Sequence, residues 1–326
     1  MSTATPLPTP LTSVVELGLG DQRDWWALEG RSIRDTLALY YDGDIPGELL
    51  PPPRDPAELR ERLRRAAPRL VRLTDRIRWA FDERASCAVL LPSLGLAGEK
   101  VDSQRKAVFC LAALLGDLTA NIPFQRVVWD VLNRGEAATR HSSFSENYRE
   151  TDHHTDSRFL RVPERFLLLY AVRAADCGGG LSMVRDGRVL IDELTRCPGG
   201  VEAVRALTET HLPTRIPKAF RKDGYVTEDG YQYAPVLAEA PLWRWRKDKL
   251  YKGIIRFPKY ATPEIRRALD AVSSLLENGK DELCQQIPTD GLLVVNNHIS
   301  LHARTAFTDP RRRLLRLRFH QPAASR

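Results

Sequence analysis

Four of the seven histidines in this 326-residue chain fall in two places. His153 and His154 precede Asp156 in "NYRETDHHTDSRFL" (147–160), and His298 and His302 share the segment "NHISLHARTAF" (297–307). Two imidazoles and one carboxylate on one face of a metal leave three coordination positions open, which is the ligand set of a non-haem ferrous centre that activates dioxygen. A zinc protein more often presents three or four protein ligands and leaves one position at most. Within the first cluster, parity selects a pair. On an extended segment residues i and i+2 point the same way, so His154 and Asp156 can share a metal while His153 and Thr155 face elsewhere. Spacing alone does not choose between His298 and His302. His141, His211 and His320 have no partner pattern.

Ligands drawn from two distant segments need a frame that brings strands together. "RVVWDV", "FLLLYAVRA", "LSMVRDG", "RWRKDKLYKGIIRF", "GLLVVNN" and "LLRLRFH" read as strands separated by turns, with one helical insert at 263–279. Many short strands without regular βαβ alternation favour a sandwich or barrel over a parallel sheet. The front of the chain reads differently. "SIRDTLALYY" is helical, 43–56 is a Pro-dense connector, and a long helical run follows with a break at Pro68. A short buried strand at 87–95 and a helix at 103–118 come next. The expectation is a mainly β fold with flanking helices (α+β): a disordered Pro/Thr-rich tail over 1–12, then a single domain over 13–326. A helical elaboration to about residue 80 would precede a strand-rich core over about 81–320.

Composition narrows the function classes. The chain is 43% hydrophobic, ample for a core. Its five cysteines are scattered, with no C-x-x-C pair, so neither a disulfide framework nor a cysteine zinc site is expected. "MSTATPLPTPLT" has no signal-peptide pattern and no apolar run approaches membrane-spanning length, so a cytoplasmic protein without membrane contact is expected. The net charge of +7 is spread along the chain rather than gathered in a stripe with aromatics, which argues against nucleic acid. The basic excess leans towards an anionic or carrier-tethered small-molecule substrate.

"HTD" at 154–156, "CGGGLSMV" at 177–184 and "NHISLHARTAFTDPRRRLLRLRF" at 297–319 resemble, in order and style, the taurine dioxygenase and clavaminate synthase-like family of Fe(II)/2-oxoglutarate oxygenases. The resemblance covers about residues 80–320, and the C-terminal block is its most specific part. It implies a double-stranded β-helix (jelly-roll) core, Fe(II) held by His154, Asp156 and His302, and 2-oxoglutarate and O2 as co-substrates. Arg316, fourteen residues after His302, matches the arginine that binds the far carboxylate of 2-oxoglutarate. Strand alternation agrees, since Leu314, Arg316 and Arg318 share one face. Ser182, in "GGLS", matches a hydroxyl residue that helps hold the co-substrate. Ala303 departs from a common glycine, and its methyl group is expected to tighten the backbone near the iron.

Around this centre, Arg304 is a candidate for a substrate or co-substrate carboxylate. Arg140, Ser142, Ser145 and Asn147 are candidates for a substrate-facing lip, and 217–226 for a basic lid. The implied reaction is hydroxylation of an unactivated C–H bond of a small amino-acid-like or anionic natural-product intermediate, with release of succinate and CO2. Desaturation, epoxidation or ring closure would use the same oxidant. The presence of Asp156 disfavours halogenation, because related halogenases put halide in place of the carboxylate. Outside oxygenase chemistry, the rivals are a metal-binding cupin-like hydrolase or isomerase and a non-catalytic jelly-roll binding protein.

Overall fold

In the computed structural model, the helices at the front of the chain form where apolar residues recur at helical spacing, and the one that ends at Ala66 stops where Pro68 forbids continuation. The structure describes residues 13–120, 125–132, 148–217, 229–238 and 241–322. The 1–12 tail, Arg140, Ser142, Ser145, Asn147 and nearly all of the 217–226 segment lie outside the described residues.

Strand β1 (Val14–Glu16) leads into α1 (Trp25–Tyr40), α2 (Pro56–Ala66) and α3 (Pro68–Asp82). Asp55 caps α2 by accepting from the Glu58 N–H at 2.9 Å. The break expected at Pro68 is realised as two helices meeting at Ala67 (φ −141°). Leu59, Leu63, Leu70, Leu73 and Ile77 are fully buried along the inner faces of this pair. Strand β2 (Ala88–Leu91) follows, then α4 (Val101–Leu115), which is buried nearly all round because it lies between the other helices and the sheet.

The remaining strands are β3 (Asp117–Leu118), β4 (Trp129–Leu132), β5 (Thr151–His154), β6 (Phe166–Arg173), β7 (Ser182–Asp186), β8 (Leu212–Arg215), β9 (Tyr231–Ala234), β10 (Leu237–Ala238), β11 (Leu242–Trp243), β12 (Leu283–Gln285), β13 (Leu292–Asn296), β14 (Ser300–Arg304) and β15 (Arg313–His320). Helices α5 (Gly187–Arg196), α6 (Gly200–Glu209), α7 (Lys247–Arg256) and α8 (Pro263–Asn278) lie among them. A seven-stranded sheet runs β1-β2-β13-β6-β15-β3, with β4 also on β15, and a four-stranded sheet runs β12-β7-β14-β5. All pairings are antiparallel except β1 with β2.

Alternation decides what each face of the large sheet meets. Leu315, Leu317 and Phe319 of β15 pack with α1–α4, whereas Leu314 joins Val184 of β7, Leu283 of β12, Leu293 and Val295 in the layer between the two sheets. A third cluster, built from α5–α8 with Trp243, Trp245 and Leu301, covers the other side of the small sheet.

One expected strand is a helix. "RWRKDKLYKGIIRF" alternates aromatic and basic residues only as far as Arg246. Beyond it Leu250, Gly253 and Ile254 recur at helical spacing and are buried, with Asp248 in the first turn and Arg256 in the last. Gly253 also lets α7 approach β8, since a Cβ there would lie 1.8 Å from the Pro213 carbonyl oxygen. Helices α5 and α6, separated by Cys197-Pro198-Gly199, were not anticipated. All five cysteines are free. Among the described residues no helix is long and apolar enough to cross a membrane.

Candidate metal centre

Strand β5 ends at His154, and both of its edges hold that end. His302 of β14 is the antiparallel partner of His154 on one side, and Arg246 bridges to it on the other. Thr155 then locks the turn to the same neighbour: its N–H donates to the Trp245 carbonyl at 2.9 Å, and its hydroxyl accepts from the Trp245 N–H at 3.1 Å. Asp156 is fixed by Asn297, just ahead of β14. The Asp156 N–H donates to Asn297 Oδ1 at 2.7 Å, and Asn297 Nδ2 donates to the carbonyls of Asp156 (3.2 Å) and Glu164 (2.9 Å).

His154 Nδ1 lies 2.9 Å from the Asp152 carbonyl, which can only accept, so Nδ1 carries the proton. Nε2 is left with its lone pair, 3.8 Å from Asp156 Oδ1. The His154 and His302 rings are 4.4 Å apart between centroids, and one ligand atom from each of His154, Asp156 and His302 lies within 4.8 Å of the others. Asp156 Oδ2 and His302 Nδ1 are buried without a hydrogen-bond partner, a costly arrangement that a bound cation would relieve.

Electrostatics prepares the same state. Burial, then His302 and Arg246, push the His154 imidazole well below its ordinary pKa, and burial carries His302 down to about 4. Burial acts to raise Asp156, but Arg316, His302 and Arg318 together outweigh it and hold the carboxyl well below the usual carboxylate range. Near neutral pH the cluster therefore offers two neutral imidazoles and one carboxylate, the protonation state a divalent metal requires. The residues fit an Fe(II) centre.

The neighbouring histidines separate as parity requires. His153 faces the other side of the sheet, with Nε2 2.7 Å from Asp281 Oδ1. His298 sits in the turn between β13 and β14 and donates from Nε2 to the Pro163 carbonyl at 2.9 Å. A cavity of about 290 Å³ on the His153 side is lined by Met183, Ala303 and Glu277, among others. The Ala303 methyl group thus points away from the triad, and the expected crowding near the iron does not occur.

Ser182 pairs with Arg304 across β7 and β14, two residues from the Val184–His302 pair, so it shares the His302 face and is buried. Gly179 permits the approach of this segment, because a Cβ would lie 2.3 Å from the Ala306 carbonyl oxygen. Arg316 projects between the sheets with Nη1 3.8 Å from Asp156 Oδ2. Arg318, on the same face, hydrogen-bonds Ser157 Oγ and lies 3.5 Å from Glu164. Arg313 is taken by Asp130 at 2.8 Å. Arg304 donates to the Arg149 carbonyl and packs 5.0 Å from the Phe307 ring centroid.

The sequence reading gives Asn297 no role and weighs Arg318 only through the face it shares with Arg316. Asn297 stands inside the quoted C-terminal motif, five residues before His302, and that place in the motif is the available signal. Replacing Asn297 with alanine strips partners from the buried Asp156 N–H and the Asp156 and Glu164 carbonyls. Thermal or urea unfolding is expected to show a loss of about 3 kcal/mol, with weaker Fe(II) binding by calorimetry.

Residues 101–318, about two thirds of the chain, match the model of the family described as taurine catabolism dioxygenase TauD, TfdA family. The chain belongs to this family. It is an Fe(II)- and 2-oxoglutarate-dependent dioxygenase, an oxidoreductase. No curated protein matches the dioxygenase in sequence.

Among solved structures, the asparagine oxygenase bound to Fe(II), 2S,3S-3-hydroxyasparagine and succinate is similar at TM-score 0.65 and 19% identity, over 95% of this chain and 93% of that one. The non-heme iron oxygenase OrfP with Fe and alpha-ketoglutaric acid is similar at TM-score 0.65 and 17% identity, over 94% of each chain. OrfP with Fe, succinate and (3S)-hydroxy-L-Arg gives TM-score 0.65 and 16% identity, over 94% of this chain and 93% of that one. At these identities the likeness establishes the fold.

Proposed function

We propose that this dioxygenase hydroxylates an unactivated C–H bond of a small amino-acid-like substrate, using Fe(II) held by His154, Asp156 and His302 and 2-oxoglutarate held by Arg316 and Ser182. The observation that carries the reading is the half-buried triad of two neutral imidazoles and a carboxylate, with Asp156 Oδ2 and His302 Nδ1 lacking a hydrogen bond and Arg316 Nη1 3.8 Å from Asp156 Oδ2. Two facing antiparallel sheets with the triad at the inner edge of the smaller one support a double-stranded β-helix within one domain from residue 13 onward. An amino-acid-like substrate is supported by the likeness to structures that hold 3-hydroxyasparagine and (3S)-hydroxy-L-Arg.

When bound together, Fe(II), 2-oxoglutarate and O2 supply the oxidant, with loss of CO2 and formation of succinate. The protein's own residues do the rest. His154 and His302 present lone pairs without first shedding protons. Asp156 brings the one negative ligand, and Asn297 fixes its backbone on both sides. Arg316 offers a planar fork to the distal carboxylate of the co-substrate and keeps Asp156 ionised. Ser182 adds a hydroxyl on the same face, and the apolar layer around Val184, Val295 and Leu314 excludes water.

The test is a screen of amino acids with the Fe(II)-loaded enzyme, 2-oxoglutarate and ¹⁸O₂. One succinate per product and a product heavier by one labelled oxygen are expected. Substrate turnover under strict anaerobiosis without 2-oxoglutarate would point instead to a hydrolase or isomerase.

A further inference from the structure

Glu164 stands at the far end of the loop that Asp156 opens, and its carboxylate is buried. The residue is 3% exposed, and its Oε2 has no hydrogen-bond partner. The other oxygen, Oε1, lies 3.5 Å from Arg318 Nη1 and 3.2 Å from Thr119 Oγ1. Thr119 belongs to the same cluster, since its N–H donates to the Arg318 carbonyl at 3.1 Å. Arg318 Nη1 in turn donates to Ser157 Oγ, on the residue that follows the candidate ligand Asp156. Asn297 Nδ2 fastens both ends of the loop by donating to the Asp156 and Glu164 carbonyls at 3.2 and 2.9 Å. Glu164 therefore reaches the Asp156 turn by two routes, one through side chains and one through the backbone.

Stability alone does not explain a buried ion pair of this kind. Replacing such a pair by apolar side chains of similar volume is often neutral or stabilising, whereas removing one partner leaves a buried charge with nothing to meet it. The charge at stake is that of Arg318. It shares one face of β15 with Arg316, whose Nη1 lies 3.8 Å from Asp156 Oδ2. Two guanidinium groups thus stand beside one metal-binding carboxylate. In the oxygenase reading Arg316 meets the distal carboxylate of 2-oxoglutarate, and Arg318 meets Glu164. Without Glu164, Arg318 would find its anion in Asp156, one residue from the Ser157 hydroxyl that it already touches. A guanidinium fork laid across the Asp156 oxygens would compete with the metal for them.

We propose that Glu164 is a positioning residue that holds Arg318 off Asp156, so that the Asp156 carboxylate stays available to the metal. The inference rests on the oxygenase reading above. Glu164 acts through Arg318 and Ser157 rather than on the metal itself.

The test is anaerobic Fe(II) binding by calorimetry to the full-length, metal-free protein, on samples shown to be folded by their melting transitions. Glu164→Gln keeps the shape of the side chain and removes its charge. It is expected to bind Fe(II) about 10- to 100-fold more weakly than the parent, the range for losing an outer-shell partner of a metal ligand. Adding Arg318→Met to Glu164→Gln removes the competing guanidinium and is expected to restore affinity by at least about 5-fold, a coupling of the size that contacting residues show. A merely structural glutamate would not give this recovery, because a second loss from the same cluster would weaken binding further. Should Glu164→Gln not fold, Glu164→Asp, whose charge sits one methylene further from Arg318, takes its place in the same cycle, with a smaller loss and the same recovery expected. Parent-like Fe(II) affinity in the single variant, or a double variant that fails to recover, overturns the proposal. Failure of the parent protein to bind Fe(II) counts instead against the oxygenase reading.

Discussion

Asp156→Ala and His302→Ala are each expected to abolish succinate formation and to weaken Fe(II) binding by more than about 100-fold, beyond the 10- to 100-fold usual for losing an outer-shell partner of a metal ligand. His154→Ala should do the same. Each removes one of three protein donors, and those that remain cannot rearrange, because β14 holds His302 in register with His154 and Asn297 pins Asp156. Asp156→Asn is the sharper variant. It keeps the size and the backbone contacts while removing the negative charge that Arg316 and Arg318 face. Iron loss in Asp156→Asn with an unchanged melting temperature would separate ligation from structure. His153→Ala is the control on the opposite face of the strand. It loses the contact to Asp281 and is expected to lower stability while retaining iron. An inactive, iron-free His153→Ala beside an active His154→Ala would reverse the assignment of the two histidines.

Arg316→Ala is expected to weaken 2-oxoglutarate binding by a few hundred- to a few thousand-fold, corresponding to about 3–5 kcal/mol for removing one partner of a buried charge pair. Arg316→Lys should fall between the two, since a point charge cannot reproduce the planar fork. Position supports the choice among the crowded arginines of β15. Arg313 is bound to Asp130, and Arg318 is engaged by Ser157 and Glu164, whereas Arg316 lies on the inter-sheet face beside Asp156. Iron should be retained in Arg316→Ala, because the three donors remain and Arg318 still acts on Asp156. Titration of 2-oxoglutarate into each anaerobic Fe(II)-loaded variant measures this. Near-normal affinity in Arg316→Ala, with the loss in Arg313→Ala or Arg318→Ala, would move the co-substrate site.

The parts legible in the sequence are those governed by short-range periodicity. The H-x-D parity placed His154 and Asp156 on one side and His153 on the other, and β15 alternates as its leucines and arginines suggested. What stayed hidden depended on distant partners. The basic and aromatic residues of 243–246 could open a strand or a helix, and only the burial of Leu250, Gly253 and Ile254, with Gly253 set against Pro213 of β8, decides for α7. Helices α5 and α6 bury Gly187, Leu190 and Leu194, and Gly200, Ala203 and Leu207, at helical spacing, a signal present in the chain that a strand-rich reading of this region leaves unused.

The most direct test of the central claim is an anaerobic absorption titration of Fe(II) and 2-oxoglutarate into the parent protein and into the His302→Ala and Arg316→Ala variants. Chelation of Fe(II) by the keto acid gives a weak visible charge-transfer band. The band is expected in the parent protein only when both are present, to be absent in His302→Ala at any concentration of 2-oxoglutarate, and to be recovered in Arg316→Ala only at far higher 2-oxoglutarate. A band of full strength in His302→Ala, or none in the parent protein with both bound, would contradict the assignment of this triad.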